Sequence, residues 1–216
     1  MKKTAILFTL SVSALILSGC ARSNPVWSGY LDSYHGLYDS QNLDRYWFDS
    51  MYTEDKSYHM IKIRRINISK LITDQSISPV KCGLWMKDAL QDEIEYNEHY
   101  TFRDIKVPAE LEIALTFVGE GDAKWRFLGG GRAAVQVEGR LIDTETNRTI
   151  VEFADRKNTS GYAGTKDLRG YTGYDYIRDM MKETARDIIV DLSDTLHQKP
   201  MLSRDFDPMV AVQKAH

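Results

Sequence analysis

The sequence predicts an α+β fold in which a largely antiparallel sheet is covered on one face by two amphipathic helices and preceded by an extended aromatic-rich arm. Runs of apolar residues at alternate positions indicate four strands, and two other segments carry apolar residues at helical spacing. Their order along the chain is strand, helix, three strands, helix. This order is typical of helices that pack on one side of an antiparallel sheet.

The predicted strands cover residues 58–68, 111–117, 133–141 and 149–153. In the first, two pairs of alternating isoleucines are out of phase, which predicts a bulge near Arg64 and Arg65. We expect these arginines to face solvent, and the alternative is a specific anion site. Glu110 and Glu112 fall at the solvent-facing positions of a half-buried strand, so no catalytic role is predicted for them. Residues 143–147 have the composition of a hairpin turn.

Two helices are predicted on either side of these last three strands. Ser78 and Pro79 are typical of an N-cap and a first helical residue, and the helix that follows is expected to end near Asn97. Its apolar face includes Cys82, which is predicted to be a buried structural thiol. The second helix begins near Thr172, and its apolar face has the clearest helical spacing in the chain: Ile177, Met181, Ala185, Ile188 and Leu192.

The first residues have the layout of a secretion signal. Lys2 and Lys3 precede an apolar run, residues 4–17, which is shorter than the roughly 20 residues of a membrane-spanning helix. The residues Leu17, Ser18, Gly19 and Cys20 resemble the bacterial lipobox. We therefore expect residues 1–19 to be removed and Cys20 to carry the acyl chains that anchor the protein in a membrane.

The residue after this cysteine bears on which membrane is used. Ala21 stands where an aspartate usually marks retention in the inner membrane of enterobacteria, so the expected location is the outer membrane, facing the periplasm. Residues 20–56 are then the lipid anchor and the aromatic-rich arm. Residues 57–199 are expected to form a single domain, and residues 200–216 a loosely ordered tail.

Composition excludes some classes of partner. The chain has a net charge of −3, and removal of Lys2 and Lys3 with the signal leaves about −5, which argues against nucleic acid or anionic lipid as the main partner. Besides Cys20, Cys82 is the only cysteine, so no disulfide between free thiols within the chain is expected.

The arm and the later strands together carry a family resemblance. Residues 28–37 (SGYLDSYHGL) resemble the SGFL-x-x-Y-x-x-L opening of a family of uncharacterised Gram-negative lipoproteins, a domain of unknown function. Residues 111–118, the glycines at 129–131, the hairpin at 141–147 and the closing helix follow in the family's order. Asn147 stands at the position of the family's turn glycine, and asparagine also tolerates a left-handed backbone. The resemblance implies the class and location of the protein and no activity.

Motifs for chemistry are lacking in the sequence. The five histidines show no metal-ligand spacing, so no metal site or other cofactor is predicted. Gly129, Gly130 and Gly131 lack the following lysine and helix of a phosphate-binding loop. Neither Ser28 nor Ser160 lies in the G-x-S-x-G pattern of an exposed nucleophile.

The candidate binding residues lie in two aromatic segments. Residues 158–173 form a loop rich in glycine, threonine and tyrosine. Tyr162, Tyr171 and the adjacent Tyr174 could stack on a glycan or peptide while Lys166 and Arg169 meet anionic groups. The alternative is that these tyrosines fold back on the sheet. In the arm, the candidates are Trp27, Tyr30 and Tyr34.

Two function classes remain open at this point. The first is a non-enzymatic envelope lipoprotein that binds a protein or glycan partner. The second is an envelope enzyme that acts on glycan or lipid through a site that sequence spacing does not reveal. A cleft with convergent carboxylates or a histidine–carboxylate pair would favour the enzyme, and an exposed aromatic patch would favour binding.

Overall fold

The structure is a computed structural model, and it describes residues 27–40, 42–49, 60–74, 76–97, 101–102, 109–121, 133–159 and 172–197. The elements in these ranges are strands and two long helices. In chain order they are β1 (Arg45–Phe48), β2 (Met60–Asn67), β3 (Ile72–Thr73), α1 (Pro79–Tyr96), β4 (Thr101–Phe102), β5 (Ala109–Gly119), β6 (Ala134–Asp143), β7 (Thr149–Asn158) and α2 (Gly173–His197). The predicted α+β class is confirmed.

The strands form one sheet in the order β1-β7-β6-β5-β2-β4, with β3 paired to β5 beyond the end of β2. The long central pairs β5–β6 and β6–β7 are antiparallel, as predicted. Strand β2 is parallel to β5. The connection between them contains α1, which returns the chain to the end of the sheet at which β2 begins. Strands β1, β3 and β4 were not predicted, and β1 lies within the arm.

Two local predictions about the backbone are confirmed. The register of β2 against β5 shifts between Ile63 and Arg65, which is the predicted bulge. In the β6–β7 hairpin, Asn147 has a φ of 56°, so it takes the left-handed conformation expected of it. The Asp143 carboxylate holds this turn by accepting the backbone N–H groups of Glu145 and Thr146 at 2.9 and 2.8 Å.

The main core lies between the helices and one face of the sheet. The predicted face of α2 is buried along its whole length, and the face of α1 that carries Cys82 is buried beside it. These faces pack on side chains from the central strands, of which the largest fully buried ones include Ile113, Leu115 and Phe153. Burial raises the pKa of the Cys82 thiol to about 11, which fits the predicted structural role.

The second face of the sheet is not the solvated face that alternation predicted. Glu112 is 1% exposed and Glu138 is fully buried, so the expectation that Glu112 faces solvent is wrong. The reason is that the arm folds over this face, which we call the arm face. Among the described helices, none is long and apolar enough to cross a membrane.

Candidate functional site

The arm packs on the sheet through a small apolar cluster of its own. Leu31 and Leu37 of the arm are buried against Ala154 of β7, and four aromatic residues lie half-buried around them: Trp27, Tyr30, Tyr34 and Trp47. The indole of Trp27 stacks on the ring of Tyr34, with ring centroids 5.7 Å apart and an angle of 10° between the planes. The predicted arm candidates Trp27, Tyr30 and Tyr34 are thus brought together by the fold.

Beneath this cluster, the arm surrounds the buried carboxylate of Glu138 on β6. The backbone N–H of Ser28 donates to Oε1 at 2.7 Å, and the Tyr34 hydroxyl donates to Oε2 at 2.6 Å. The Ser28 hydroxyl and the Tyr30 backbone N–H donate to the same Oε2 at 3.1 and 3.3 Å. All four donors are neutral and belong to the arm, so Glu138 fixes residues 28–34 on the sheet.

Glu112 on β5 is the centre of an arginine cluster on the same face. Its Oε2 accepts from Arg140 Nε at 2.9 Å and from the Tyr30 hydroxyl at 3.2 Å. Its Oε1 lies 3.4 Å from Arg64 Nε and 3.3 Å from Arg65 Nε. Burial alone would raise the pKa of Glu112, but Arg140, Arg65 and the Tyr30 hydroxyl outweigh it and hold the pKa below its usual value.

The bulge in β2 explains how two adjacent arginines reach one carboxylate. In a regular strand Arg64 and Arg65 would point to opposite faces. The extra residue at the bulge turns both toward the arm face, where Arg64 also lies 3.4 Å from Glu110.

A second attachment joins the arm to α2. The carboxylate of Asp191 accepts from the Ser40 hydroxyl and the Asn42 side-chain amide. The buried Tyr46 of β1 donates its hydroxyl to Thr195 Oγ1 at 2.9 Å. The arm is therefore held at both ends of its described length.

Next to this attachment lies a buried charge cluster on β7. Asp155 Oδ1 accepts the backbone N–H of Asp44 at 3.2 Å, while Oδ2 has no hydrogen-bond partner and lies 3.7 Å from Lys157 Nζ. Lys157 instead contacts Asp187 of α2 at 2.5 Å. Burial raises the pKa of Asp155 to about 6, although the charge of Lys157 acts in the opposite direction.

This arrangement supports attachment of the arm more directly than catalysis. The oxygens of Glu112 and Glu138 are each occupied by donors, which leaves neither carboxylate open as a general base. No group of three potential metal ligands is present in the part of the chain that the structure describes.

The other predicted site residues are outside the described ranges. These residues are Cys20, Tyr162, Lys166, Arg169 and Tyr171. Sequence reasoning missed Glu138 and dismissed Glu112, because alternation cannot tell a solvated face from one covered by a distant segment. It missed Asp155 because the predicted strand ended at Phe153, two residues earlier. The aromatic richness of the arm was the available signal that it packs on something.

The chain matches no protein-family model and no curated protein. Among solved structures it is similar to a candidate lipoprotein from Caulobacter crescentus, with 17% identity over 62% of this chain and 95% of the other and a TM-score of 0.38. It is also similar to a Xanthomonas campestris protein of the DUF330 family, with 9% identity, 65% and 86% coverage and a TM-score of 0.41. A lipoprotein from Neisseria meningitidis shows 11% identity, 52% and 93% coverage and a TM-score of 0.33. Scores this low support no statement about function.

Proposed function

We propose that this protein is a lipoprotein of the bacterial cell envelope, lipidated on Cys20 and anchored in the outer membrane facing the periplasm, which binds another envelope component without catalysing a reaction. The sequence support is the charged and apolar signal over residues 1–19 and the lipobox-like residues that end at Cys20.

The structural observation that carries the proposal is the attachment of the arm. Its first described residue, Trp27, already packs in the arm cluster, and Ser28 is bonded to the buried Glu138. Cys20 precedes Trp27 by seven residues, a span of at most about 25 Å in a fully extended chain. A lipid on Cys20 would therefore hold the folded domain beside its membrane, which suits a protein that presents a fixed binding surface.

The anchor is tested by metabolic labelling with a lipid precursor. Cys20→Ala should abolish labelling and leave the precursor uncleaved, because the thiol of Cys20 is the acylated group. Cys82→Ala is the matched control, since Cys82 is buried in the core and its loss should leave labelling intact. Normal labelling of Cys20→Ala would contradict the lipoprotein proposal.

The choice of membrane is tested with Ala21→Asp. If the alanine directs the protein to the outer membrane, this variant should remain in the inner-membrane fraction, whereas Ala21→Ser should fractionate like the wild type. An unchanged distribution of Ala21→Asp would remove the support for the outer membrane but not for the lipid anchor.

We place the binding surface in the loop of residues 158–173, because the hydroxyls of Tyr30 and Tyr34 in the arm are already used within the domain. The test is crosslinking in native membranes followed by purification and mass spectrometry. Tyr162→Ala with Tyr171→Ala should weaken partner recovery while the protein stays folded and sorted. The matched control is Tyr38→Ala with Tyr96→Ala, which removes two tyrosines that are 72% and 91% exposed. Equal recovery from both double variants would contradict this placement.

A further inference from the structure

The arm face carries exposed cations beside its buried carboxylates. Arg64, Arg65 and Arg140 converge on Glu112, and among the described residues Arg64 also lies 3.4 Å from Glu110. The side chains of Arg64 and Arg65 are 46% and 57% exposed, so their guanidinium groups remain accessible to an anion from solvent.

Lys70 adds a cation where the arm enters the fold. Its ammonium group donates to the carbonyl oxygens of Ser28 and Gly29 at 3.3 and 2.9 Å, which places it beside the residues that follow the proposed lipid anchor. Close by in the chain, Ile72 is 66% exposed. Ile72 pairs with Phe117 while Thr73 pairs with the buried Val118 of the core, so alternation places Ile72 on the arm face.

The helix layer on the opposite side is acidic. Helix α1 contains two lysines and four acidic residues, and α2 contains three basic and six acidic residues. The two helices therefore account for a net charge of −5, which equals the charge expected of the whole mature chain. This acidic helix layer is turned away from the arm.

From this geometry we infer that the arm face is the membrane-facing side of the domain, with Arg64, Arg65 and Lys70 contacting the phosphate groups of lipids in the bilayer that holds the Cys20 anchor. The inference rests on the proposed lipid anchor. Seven residues of chain keep the arm face within reach of the bilayer, and a guanidinium is well suited to phosphate. Each cation near an anionic surface adds about 1 kcal/mol, enough to orient a domain that is already tethered.

The experiment uses the full lipidated chain in vesicles of phosphatidylethanolamine and phosphatidylglycerol. Ile72→Cys on the arm face and Leu84→Cys on α1 replace aliphatic residues of similar exposure, 66% and 57%, and each is labelled with a fluorophore while the buried Cys82 stays unlabelled. We expect the label at position 72 to lose most of its quenching by a water-soluble quencher, and the label at position 84 to keep it.

Charge variants test the phosphate contacts. Arg65→Gln with Lys70→Gln should restore quenching at position 72, whereas Lys87→Gln with Lys182→Gln, which removes two charges from the helix layer, should not. Circular dichroism and melting in solution confirm that both double variants are folded. Persistent protection in a folded Arg65→Gln and Lys70→Gln variant would overturn the assignment of these cations.

The remaining outcomes separate this inference from the proposed function. The intact mass of the protein shows whether Cys20 carries lipid. Absence of the lipid would contradict both the proposed function and this inference. If lipid is present and the two labels are equally quenched, or position 84 is the protected one, the membrane-facing assignment is overturned. Protection of the label at position 72 from the quencher could also disappear when the ratio of protein to lipid is lowered. That result would overturn the assignment, because the arm face would then be covered by a second copy of the chain.

Discussion

The Tyr34 hydroxyl lies 2.6 Å from Oε2 of Glu138, and this hydrogen bond joins the arm to the middle of the sheet across 104 residues of chain. The pKa of Tyr34 is raised to about 12 by burial, by the hydrogen bond and by the charge of Glu138. The phenol therefore stays protonated and serves as a permanent donor at physiological pH. Through it, the aromatic-rich arm becomes part of the folded domain.

Removing this donor should loosen the arm. Tyr34→Phe keeps the stacking on Trp27 but leaves the buried carboxylate with one donor fewer. Since hydrogen bonds to charged groups contribute about 1.5–3 kcal/mol, we expect a loss of about 1–2 kcal/mol in the free energy of unfolding, measured by urea denaturation. Tyr38→Phe is the control: Tyr38 is 72% exposed, so this variant should change stability by less than about 0.5 kcal/mol. Equal stability of the two variants would show that the hydrogen bond from Tyr34 to Glu138 does not stabilise the fold.

The cluster at Glu112 predicts a pH dependence of stability with a defined sign. Because the folded protein lowers the pKa of Glu112, the ionised carboxylate stabilises the fold above its ordinary pKa of 4.5, and this stabilisation is lost as the pH falls through the folded value. Glu112→Gln should therefore cost about 1–3 kcal/mol at pH 7, and the difference from wild type should shrink below about pH 4. A constant difference across that range would mean that the charge of Glu112 is irrelevant to stability.

The elements that the sequence predicted correctly are those whose pattern depends on local spacing. The apolar face of α2, the strands β5 to β7 and the bulge before Arg65 all follow from periodicity within one segment. The Asn147 turn follows from residue chemistry in the same way. Strand β1 was missed because the sequence Arg45-Tyr46-Trp47-Phe48 does not alternate between apolar and polar residues.

The buried carboxylates were missed for a different reason. Glu112 and Glu138 occupy positions of their strands that alternation assigns to solvent, and their burial depends on donors that lie 82 and 104 residues away in Tyr30 and Tyr34. No pattern within β5 or β6 contains that information. The residues that fix the arm could thus be found only once the fold had brought the two segments together.

Close packing in the main core predicts that one glycine cannot be enlarged. A Cβ at Gly139 would lie 2.3 Å from Cζ of Phe153 and 2.9 Å from Cδ1 of Ile113, both of them fully buried. Gly139→Ala should therefore reduce the melting temperature through a loss of about 1–3 kcal/mol. Phe153→Leu should partly rescue Gly139→Ala, because the atoms that clash are then removed. At Gly36 the nearest such atom is 3.9 Å away, and Gly36→Ala should be tolerated.

Asp155 predicts the opposite pH behaviour from Glu112. Burial raises its pKa from 3.8 to about 6, so the folded protein holds this proton more tightly than the unfolded chain does. The resulting stabilisation is complete below about pH 3.8 and is lost as the pH rises through 6, which leaves an ionised carboxylate in the core at neutral pH. At about 1.4 kcal/mol for each pH unit, the loss amounts to at most about 3 kcal/mol.

Asp155→Asn keeps an oxygen for the Asp44 backbone N–H, and Lys157 keeps Asp187 as its partner. We therefore expect Asp155→Asn to raise the free energy of unfolding at pH 7.5 and to change it little at pH 4, as measured by urea denaturation at both values. The exposed Asp194→Asn on α2 should show no such pH-dependent gain. If Asp155→Asn instead destabilises the protein more at pH 7.5 than at pH 4, the attraction between Asp155 and Lys157 outweighs the cost of burial, and the raised pKa is wrong.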